Sequence, residues 1–252
     1  MDRIIYTAMS GAARVDEYQA VLSNNMANVS TPGFREQVAL YRSVPVLDGT
    51  SLPTRVSSVT VTPGSSFAMG NMQATGRALD VALAGPGWLA VQTPQGEAYT
   101  RAGDLQVGVD GLLQTAQGRP VLSDQNGVIA VPELATLTIA SDGTITALGA
   151  GDPPNNILNL GRLKLANPPE AALVRGDDGV FRLAQAGGQP APPWPADPAL
   201  RVMSGVLESS NASPVKAMVG MIENARRFEM QMQVISEADK NAERANSLLS
   251  AG

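Results

Sequence analysis

The sequence predicts an α+β protein in which N- and C-terminal α-helices pair in a coiled-coil-like terminal domain, with an inserted, mostly antiparallel β domain. Near both ends of the chain, apolar residues recur at the alternating three- and four-residue spacing of a heptad seam. Between the ends, short runs of alternating apolar and polar residues are separated by turns containing Gly, Asn and Asp. The two helical ends therefore indicate one discontinuous domain that carries the β domain as an insertion.

The first helix is predicted over residues 1–30, and its seam spans roughly 38 Å at about 1.5 Å per residue. Pro32 disfavours the α conformation at Thr31, and Gly33 permits turn geometry closed to other residues, so we expect the helix to end there. The seam is apolar except at one glutamine and consists of Ile5, Ala8, Ala12, Val15, Gln19, Leu22, Met26 and Val29.

Residues 31–77 are predicted to form an extended, partly irregular connector, because they contain several prolines and many serines and threonines. The β domain is predicted over residues 78–204. Residues 136–139 and 144–146 flank Asp142-Gly143, a pair that tolerates tight turns, and this arrangement predicts a hairpin. We interpret the later proline run, residues 190–195, as a loop or linker.

The second helix is predicted within residues 205–252. Its seam consists of Met218, Met221, Ala225, Phe228, Met232, Ile235, Asp239, Ala242, Asn246 and Leu249. An amphipathic helix gains most of its stability by packing its apolar face, so both helices are expected to pair with each other or with other chains. A methionine-rich face would also suit an internal core. Heptad helices at both ends of one chain favour an assembly element instead.

Composition excludes several classes of function. The net charge of −5 and the pI near 4.8 are unlike those of nucleic-acid-binding proteins. The sequence contains no cysteine and no histidine, which excludes thiolate nucleophiles, histidine-based triads and Cys/His metal sites. It has no phosphate-binding loop and no apolar run that could span a bilayer. We therefore predict no cofactor, no metal, no nucleic acid and no direct membrane insertion.

Two motifs have weak functional interpretations. Asp142-Gly143-Thr144 reverses the order of an aspartic protease motif and has no paired copy. The stretch beginning at Asp124 resembles a calcium loop only faintly, because its twelfth position is Ala135 and not glutamate. Two other classes of function remain open on the residues alone. One is a secreted adhesive or scaffold protein, and the other is a hydrolase using pairs among Asp104, Asp110, Asp142, Asp177 and Asp178.

The stretch from Asn25 to Phe34, Asn-Met-Ala-Asn-Val-Ser-Thr-Pro-Gly-Phe, closely resembles the N-terminal signature of the bacterial flagellar rod and hook axial protein family. Later stretches resemble two further signatures of the same family, in the same order. The signature of the β domain is matched by residues 79–83, 87–91 and 99–103, and the C-terminal signature by residues 208–211 and 225–230. The resemblance spans nearly the whole chain.

This resemblance implies a structural subunit without enzymatic activity, placed in the proximal rod of the flagellar basal body. Residues 6–11, Trp88 and residues 226–232 resemble the proximal-rod branch most, with distal-rod or hook-type subunits as the alternative. The implied partners are neighbouring proximal-rod subunits, the distal-rod protein, copies of itself and the flagellar type III export apparatus. The implied location is the periplasmic rod, reached without a cleaved signal peptide. The terminal helices would line the export channel, and the β domain would lie outside them.

We expect assembly contacts along both seams and at the end of the first helix. Near that end, Asn25, Asn28 and Thr31 have side chains able to bond backbone groups that a helix terminus leaves unpaired. Ordinary capping and contact with another subunit both remain open for these three residues. The remaining predicted assembly residues are Ile5, Ala12, Val15, Leu22, Met26, Met218, Met221, Ala225, Phe228, Met232, Ile235 and Leu249.

Overall fold

The computed structural model describes residues 2–45, 56–151, 153, 156–184 and 191–250. For residues 2–4, 42–45, 56–63 and 249–250 it describes the backbone alone. The chain divides into two compact units. The first comprises Met1–Val29, Glu36–Ser66 and Ala212–Gly252, and the second comprises Ser30–Arg35 and Phe67–Asn211.

The helical unit contains α1 (Asp2–Ala27) and α2 (Pro214–Ser250). The two helices are antiparallel, because Leu22 of α1 lies against Gly220 while Gly11 lies against Gln231. This pairing and the β-rich second unit confirm the predicted α+β class. Among the described helices, none combines the length and the apolar character needed to cross a bilayer.

The helical unit also contains a β-hairpin formed by β1 (Gln37–Pro45) and β2 (Val56–Ser65). The strands are antiparallel, from Gln37 opposite Ser65 to Pro45 opposite Val56, with a bulge between Val38 and Leu40. This hairpin falls within residues 31–77, where we expected an extended, partly irregular connector. Valines in both segments, with Tyr41 in β1 and threonines in β2, favour paired strands. They outweigh the prolines, since Pro45 lies at a strand end and Pro63 lies at the bulge.

The second unit is built from short antiparallel strands joined by turns. These strands are β3 (Met72–Ala74), β4 (Val81–Leu83), β5 (Trp88–Thr93), β6 (Gly96–Thr100), β7 (Leu105–Val107), β8 (Leu113–Thr115), β9 (Thr136–Ile139), β10 (Thr144–Leu148), β11 (Ile157–Arg162), β12 (Leu165–Ala166), β13 (Leu173–Arg175), β14 (Phe181–Leu183), β15 (Val202–Ser204) and β16 (Val206–Glu208). A 3₁₀ turn, Glu170–Ala172, precedes β13. The strand order is β12-β5-β6-β14-β13 in the largest sheet and β11-β10-β9 in the next.

The hairpin predicted around Asp142-Gly143 is confirmed, since β9 and β10 pair from Ile139 opposite Ile145 to Thr136 opposite Leu148. Asp142 accepts hydrogen bonds from the backbone N and the Oγ1 of Thr144, at 2.9 and 2.8 Å. These bonds lower the pKa of the Asp142 carboxyl. The carboxylate therefore fixes the turn.

Two apolar clusters form the core of the second unit. The larger is aliphatic and includes Val91, Leu105, Leu113 and Ile145. The smaller is aromatic, with Trp88, Tyr99 and Phe181 buried and Trp194 partly buried against them. Trp194 lies in the proline run that we interpreted as a loop or linker, and its backbone N donates to Tyr99 Oη at 2.9 Å. The end of that run is therefore packed onto the sheet.

Candidate functional site

The contact between the terminal helices is made by small side chains. Ala8 and Ala217 are buried. A Cβ added to Gly220 would lie 3.0 Å from Leu22 Cδ2, and one added to Gly11 would lie 3.0 Å from the Gln231 side chain. The absence of larger side chains at these positions lets the two helices approach closely.

A polar contact lies in the middle of this small-residue face. Asn224 is 3% exposed, and its Nδ2 donates to Val15 O at 2.8 Å and to Gln19 Oε1 at 3.0 Å. The glutamine that interrupts the predicted α1 seam thus has a partner on α2. A buried polar contact of this kind can fix the register of two paired helices.

The predicted α1 seam lies against the rest of the helical unit. Leu22 is buried, and the side chains of Ile5, Ala12, Val15 and Met26 are partly buried. Exposed apolar residues of α1 are instead Tyr6 and Met9, at 72% and 55%. Thus α1 also has an apolar outer face that the seam pattern did not include.

Part of the predicted α2 seam lies outside the contact with α1. Met218, Phe228 and Met232 are 48%, 43% and 47% exposed. Ala225 is also exposed, whereas Met221, Ile235 and Ala242 are partly buried. The face against α1 carries Ala217, Gly220, Asn224 and Gln231. Each of these residues directly precedes a predicted seam residue. An apolar periodicity cannot reveal a seam made of glycine, alanine and amides. The Leu249 side chain lies outside the described residues.

We call the exposed residues Met218, Ala225, Phe228 and Met232 the outer stripe of α2. Other apolar side chains of α2 are exposed elsewhere around the helix: Val215, Val219, Ile222, Met230 and Val234 are 69%, 50%, 57%, 57% and 45% exposed. Exposed apolar side chains aligned along one stripe of a helix indicate a candidate interaction site.

At the end of α1, two asparagines make different contacts. Asn25 is 4% exposed and forms a reciprocal pair with Gln37, donating to its O at 2.9 Å and accepting from its N at 2.8 Å. Asn25 thereby anchors the first residue of β1. Asn28 donates through Nδ2 to Asn24 O at 2.9 Å, which caps a carbonyl at the helix end.

In the second unit, Thr31 and Gly33 shape the turn after α1. Thr31 is partly buried, and its backbone O accepts from Phe34 N at 3.3 Å. Gly33 has φ of +68°, and a Cβ there would lie 2.2 Å from the carbonyl carbon of Arg101. Only glycine fits this position, as its place after Pro32 predicted.

A buried charge cluster that sequence reasoning missed lies beside this turn. Glu208 Oε1 accepts from Arg35 Nη1 at 2.6 Å and from Gly70 N at 2.8 Å, and its Oε2 accepts from Arg101 Nη1 at 3.0 Å. The side chains of Arg35, Arg101 and Glu208 are at most 3% exposed. The signal in the sequence was a glutamate within the apolar run Val206-Leu207-Glu208.

The same cluster ties separate chain segments together within the second unit. The backbone O of Glu208 accepts from Gly33 N at 2.7 Å, and Phe34 O accepts from Asn211 N at 3.3 Å. Both guanidinium groups lie over the Trp88 ring, 5.9 Å away for Arg35 and 5.8 Å for Arg101. The segment that follows α1 and the segment that precedes α2 are therefore held side by side.

Two of the acidic residues considered as catalytic pairs, Asp142 and Asp178, accept hydrogen bonds from neighbouring side chains. Asp178 accepts from Arg182, whose Nη2 lies 2.6 Å from Asp178 Oδ2, and this contact lowers the pKa of the Asp178 carboxyl. Asp104 is partly buried, and burial raises the pKa of its carboxyl. Within the described part of the chain, no group of three or more acidic side chains is placed to hold a metal.

A cavity of about 830 Å³ lies in the second unit. A groove that binds a ligand in this unit would favour an adhesive or scaffold protein over a rod subunit. Its lining includes Glu97, Tyr99, Asp178 and Arg182. Arg182 also donates to Gln95 Oε1 at 3.0 Å. These contacts pair much of the charge of the lining within the protein itself.

Known proteins resemble the chain along its whole length. A 252-residue alignment with "Flagellar basal-body rod protein FlgF" of Escherichia coli (strain K12) is 55% identical and covers 99% of both chains. The FlgF protein of Salmonella typhimurium is 53% identical with the same coverage. The chain belongs to the FlgF family of flagellar basal-body rod proteins. The "Flagellar basal-body rod protein FlgG" of Buchnera aphidicola subsp. Schizaphis graminum is 30% identical over 90% of this chain.

Three domain families match in the expected order. They are described as "Flagella basal body rod protein" at residues 5–35, "Flagellar hook protein FlgE/F/G D1 domain" at 82–147 and "Flagellar basal body rod FlgEFG protein C-terminal" at 203–248. Together with FlgF membership they identify the chain as a structural subunit of the flagellar rod in the basal body. The distal-rod and hook alternative is not favoured, since identity to FlgF proteins reaches 55% and that to FlgG is 30%.

Proposed function

We propose that this member of the FlgF family is a subunit of the proximal rod, which polymerises helically through its terminal helices and transmits torque without catalysing a reaction. The observation that carries the proposal is the outer stripe of α2. Phe228 and Met232 are 43% and 47% exposed although α1 already covers another face of the same helix. A helix that remains apolar outside its internal contact has surface left for other subunits.

Torque transmission requires stiffness and close packing between subunits. Interdigitated side chains provide both, because packed interiors have low compressibility and transmit strain. The small-residue face with Asn224 would fix the helix pair inside one subunit. The outer stripe and the exposed Tyr6 and Met9 of α1 would then contact neighbours. The partners would be other proximal-rod subunits, the distal-rod protein and copies of the chain itself.

The proposed location is the periplasmic rod. Export through the flagellar type III apparatus, without cleavage of a signal peptide, would place the chain there. The sequence is compatible with passage as an extended chain, because it contains no cysteine and therefore no disulfide to break. On this proposal, Asn25, Asn28 and Thr31 act first as structural groups at the end of α1, and any contact that they make with another subunit is additional.

Phe228→Asp and Met232→Asp should each abolish rod assembly and swimming while leaving the β-rich unit folded. Each change places a charge in a surface that would be desolvated between subunits. Motility on soft agar and circular dichroism of the purified variants measure the two effects. Asn241→Asp, which adds the same charge at an exposed polar position of α2, is the matched control and should swim normally. Wild-type motility of both variants would show that the outer stripe is not needed for assembly.

The proximal position is tested separately by electron microscopy of basal bodies from a strain lacking the gene. We expect the proximal rod to be missing and to return on complementation with the wild-type chain. An intact rod in the deletion strain would contradict the proposed position. In that case, a loss of motility in Phe228→Asp and Met232→Asp would still show that the outer stripe is needed for assembly elsewhere in the axial structure.

A further inference from the structure

Three reactive side chains meet in the second unit. Lys164 lies just before β12 and is 2% exposed, Glu97 lies on β6, and Asn126 lies in the turn between β8 and β9. Lys164 Nζ donates to Glu97 Oε2 at 2.8 Å and to Asn126 Oδ1 at 2.5 Å. The lysine amine is thus within hydrogen-bonding distance of both a side-chain amide and a carboxylate.

The backbone fixes both reacting partners. Asn126 has φ of +63° in a turn closed by the bond from Ser123 N to Gly127 O at 2.7 Å. Lys164 N donates to Leu122 O at 2.8 Å, so the segments carrying the amine and the amide are hydrogen-bonded neighbours. Positioning of this kind turns an otherwise slow bimolecular reaction into an intramolecular one.

The carboxylate is placed to move protons. The Glu97 side chain is 8% exposed, and its second oxygen, Oε1, accepts from Tyr99 Oη at 2.8 Å. Burial raises the pKa of the Tyr99 phenol, which therefore remains a donor at neutral pH. Glu97 is consequently held with Oε2 towards the amine. A buried lysine beside a proton acceptor is the arrangement that makes an amine nucleophilic.

We propose that Lys164 and Asn126 form an intramolecular isopeptide bond, with Glu97 transferring the protons. The Lys164 ammonium gives one proton to the Glu97 carboxylate, and the neutral Nζ attacks Cγ of Asn126. The Nζ–Cγ bond forms, the bond from Cγ to Nδ2 breaks, and the nitrogen leaves as ammonia. The attacking nitrogen also loses a second proton. Glu97 passes these two protons to the leaving nitrogen, so the net products are the new amide and one ammonium ion. No oxidant or metal is needed.

The bond would crosslink positions 38 residues apart in the sequence. The segment between them contains β9, β10 and β11, so the sheet made by these strands would be enclosed in a covalent loop. Closing a loop lowers the entropy of the unfolded chain and raises stability. In a chain without cysteine, this is a covalent stiffening that a torque-bearing subunit could use.

The reaction requires the folded unit, since Glu97 is 67 residues from Lys164 in the sequence. An unfolded chain does not bring the three groups together. The proposed export in an extended state and the proposed crosslink are therefore compatible, because the bond would form only after transit and folding.

Intact-mass spectrometry of the folded full-length chain tests the proposal. We expect a mass lower than that of the sequence by one ammonia. Lys164→Arg, Asn126→Gly and Glu97→Gln should each restore the full sequence mass, and Lys240→Arg, at an exposed lysine of α2, should keep the loss. Asn126→Gly retains a residue that tolerates positive φ, so this variant is expected to fold even if Glu97→Gln does not. A wild-type mass equal to that of the sequence overturns the proposal.

Peptide mapping separates the crosslink from a succinimide at Asn126-Gly127, which also loses one ammonia. Trypsin cleavage after Arg162 divides the peptide that carries Asn126 from the one that carries Lys164. The isopeptide bond keeps these two peptides joined after cleavage, whereas a succinimide leaves them free. Joined peptides support the proposal. Free peptides, or a mass loss that persists in Lys164→Arg, overturn it.

Discussion

Glu208→Gln is expected to lower the free energy of unfolding of the second unit by about 3–5 kcal/mol, the cost of breaking a buried ion pair by removing one partner. Glutamine keeps the shape of the side chain but removes its negative charge. Arg35 and Arg101 would then remain buried, 1% and 4% exposed, without an opposite charge. Urea denaturation followed by tryptophan fluorescence measures the change, because Trp88 lies beneath both guanidinium groups.

A second substitution distinguishes loss of charge from loss of packing. Burial lowers the pKa of Arg101 to about 10, and the charge of Glu208 opposes this effect, so Arg101 remains protonated at neutral pH. Arg101→Met in the Glu208→Gln background should recover part of the lost stability, since one unpaired buried charge is removed. Glu133→Gln, at an exposed position, is the matched control and should change stability by less than about 0.5 kcal/mol. An equally small effect of Glu208→Gln would contradict the electrostatic interpretation.

The structural role of this cluster also explains a limit of sequence reasoning. The two terminal helices, the β9–β10 hairpin and the end of α1 before Pro32 follow from local periodicity and turn chemistry, which neighbouring residues determine. Glu208 and Arg35 are 173 residues apart in the sequence, and neither lies in a local pattern that signals a partner. Contacts of this kind depend on the tertiary fold and are invisible to local rules.

The α2 seam shows a second limit. Heptad analysis selects the most apolar stripe of a helix, and in α2 that stripe includes Met218, Phe228 and Met232. The internal partner α1 instead packs against the face of Gly220 and Asn224, where small size and hydrogen bonding determine the contact. Hydrophobicity thus indicated the surface left exposed, and residue volume would have been the better guide to the internal one.

Gly33→Ala is expected to destabilise the second unit by about 3–5 kcal/mol, from backbone strain and steric overlap together. The new Cβ would lie 2.2 Å from the carbonyl carbon of Arg101 and 2.4 Å from Ala102 N. These are backbone atoms, so no side-chain rotation can relieve the overlap. The residue must also keep φ of +68°, which disfavours alanine. Urea denaturation of the full chain measures the loss.

Gly76→Ala separates the two contributions. Gly76 has nearly the same backbone conformation, with φ of +74°, but a Cβ there would meet no atom within 4 Å. Its substitution should therefore cost only the conformational strain, about 1–2 kcal/mol. The difference between the two variants then measures the close approach of the turn after α1 to the Arg101 backbone. Equal losses would mean that this approach relaxes at little cost, and that the Thr31-Pro32-Gly33 turn needs glycine for its φ angle alone.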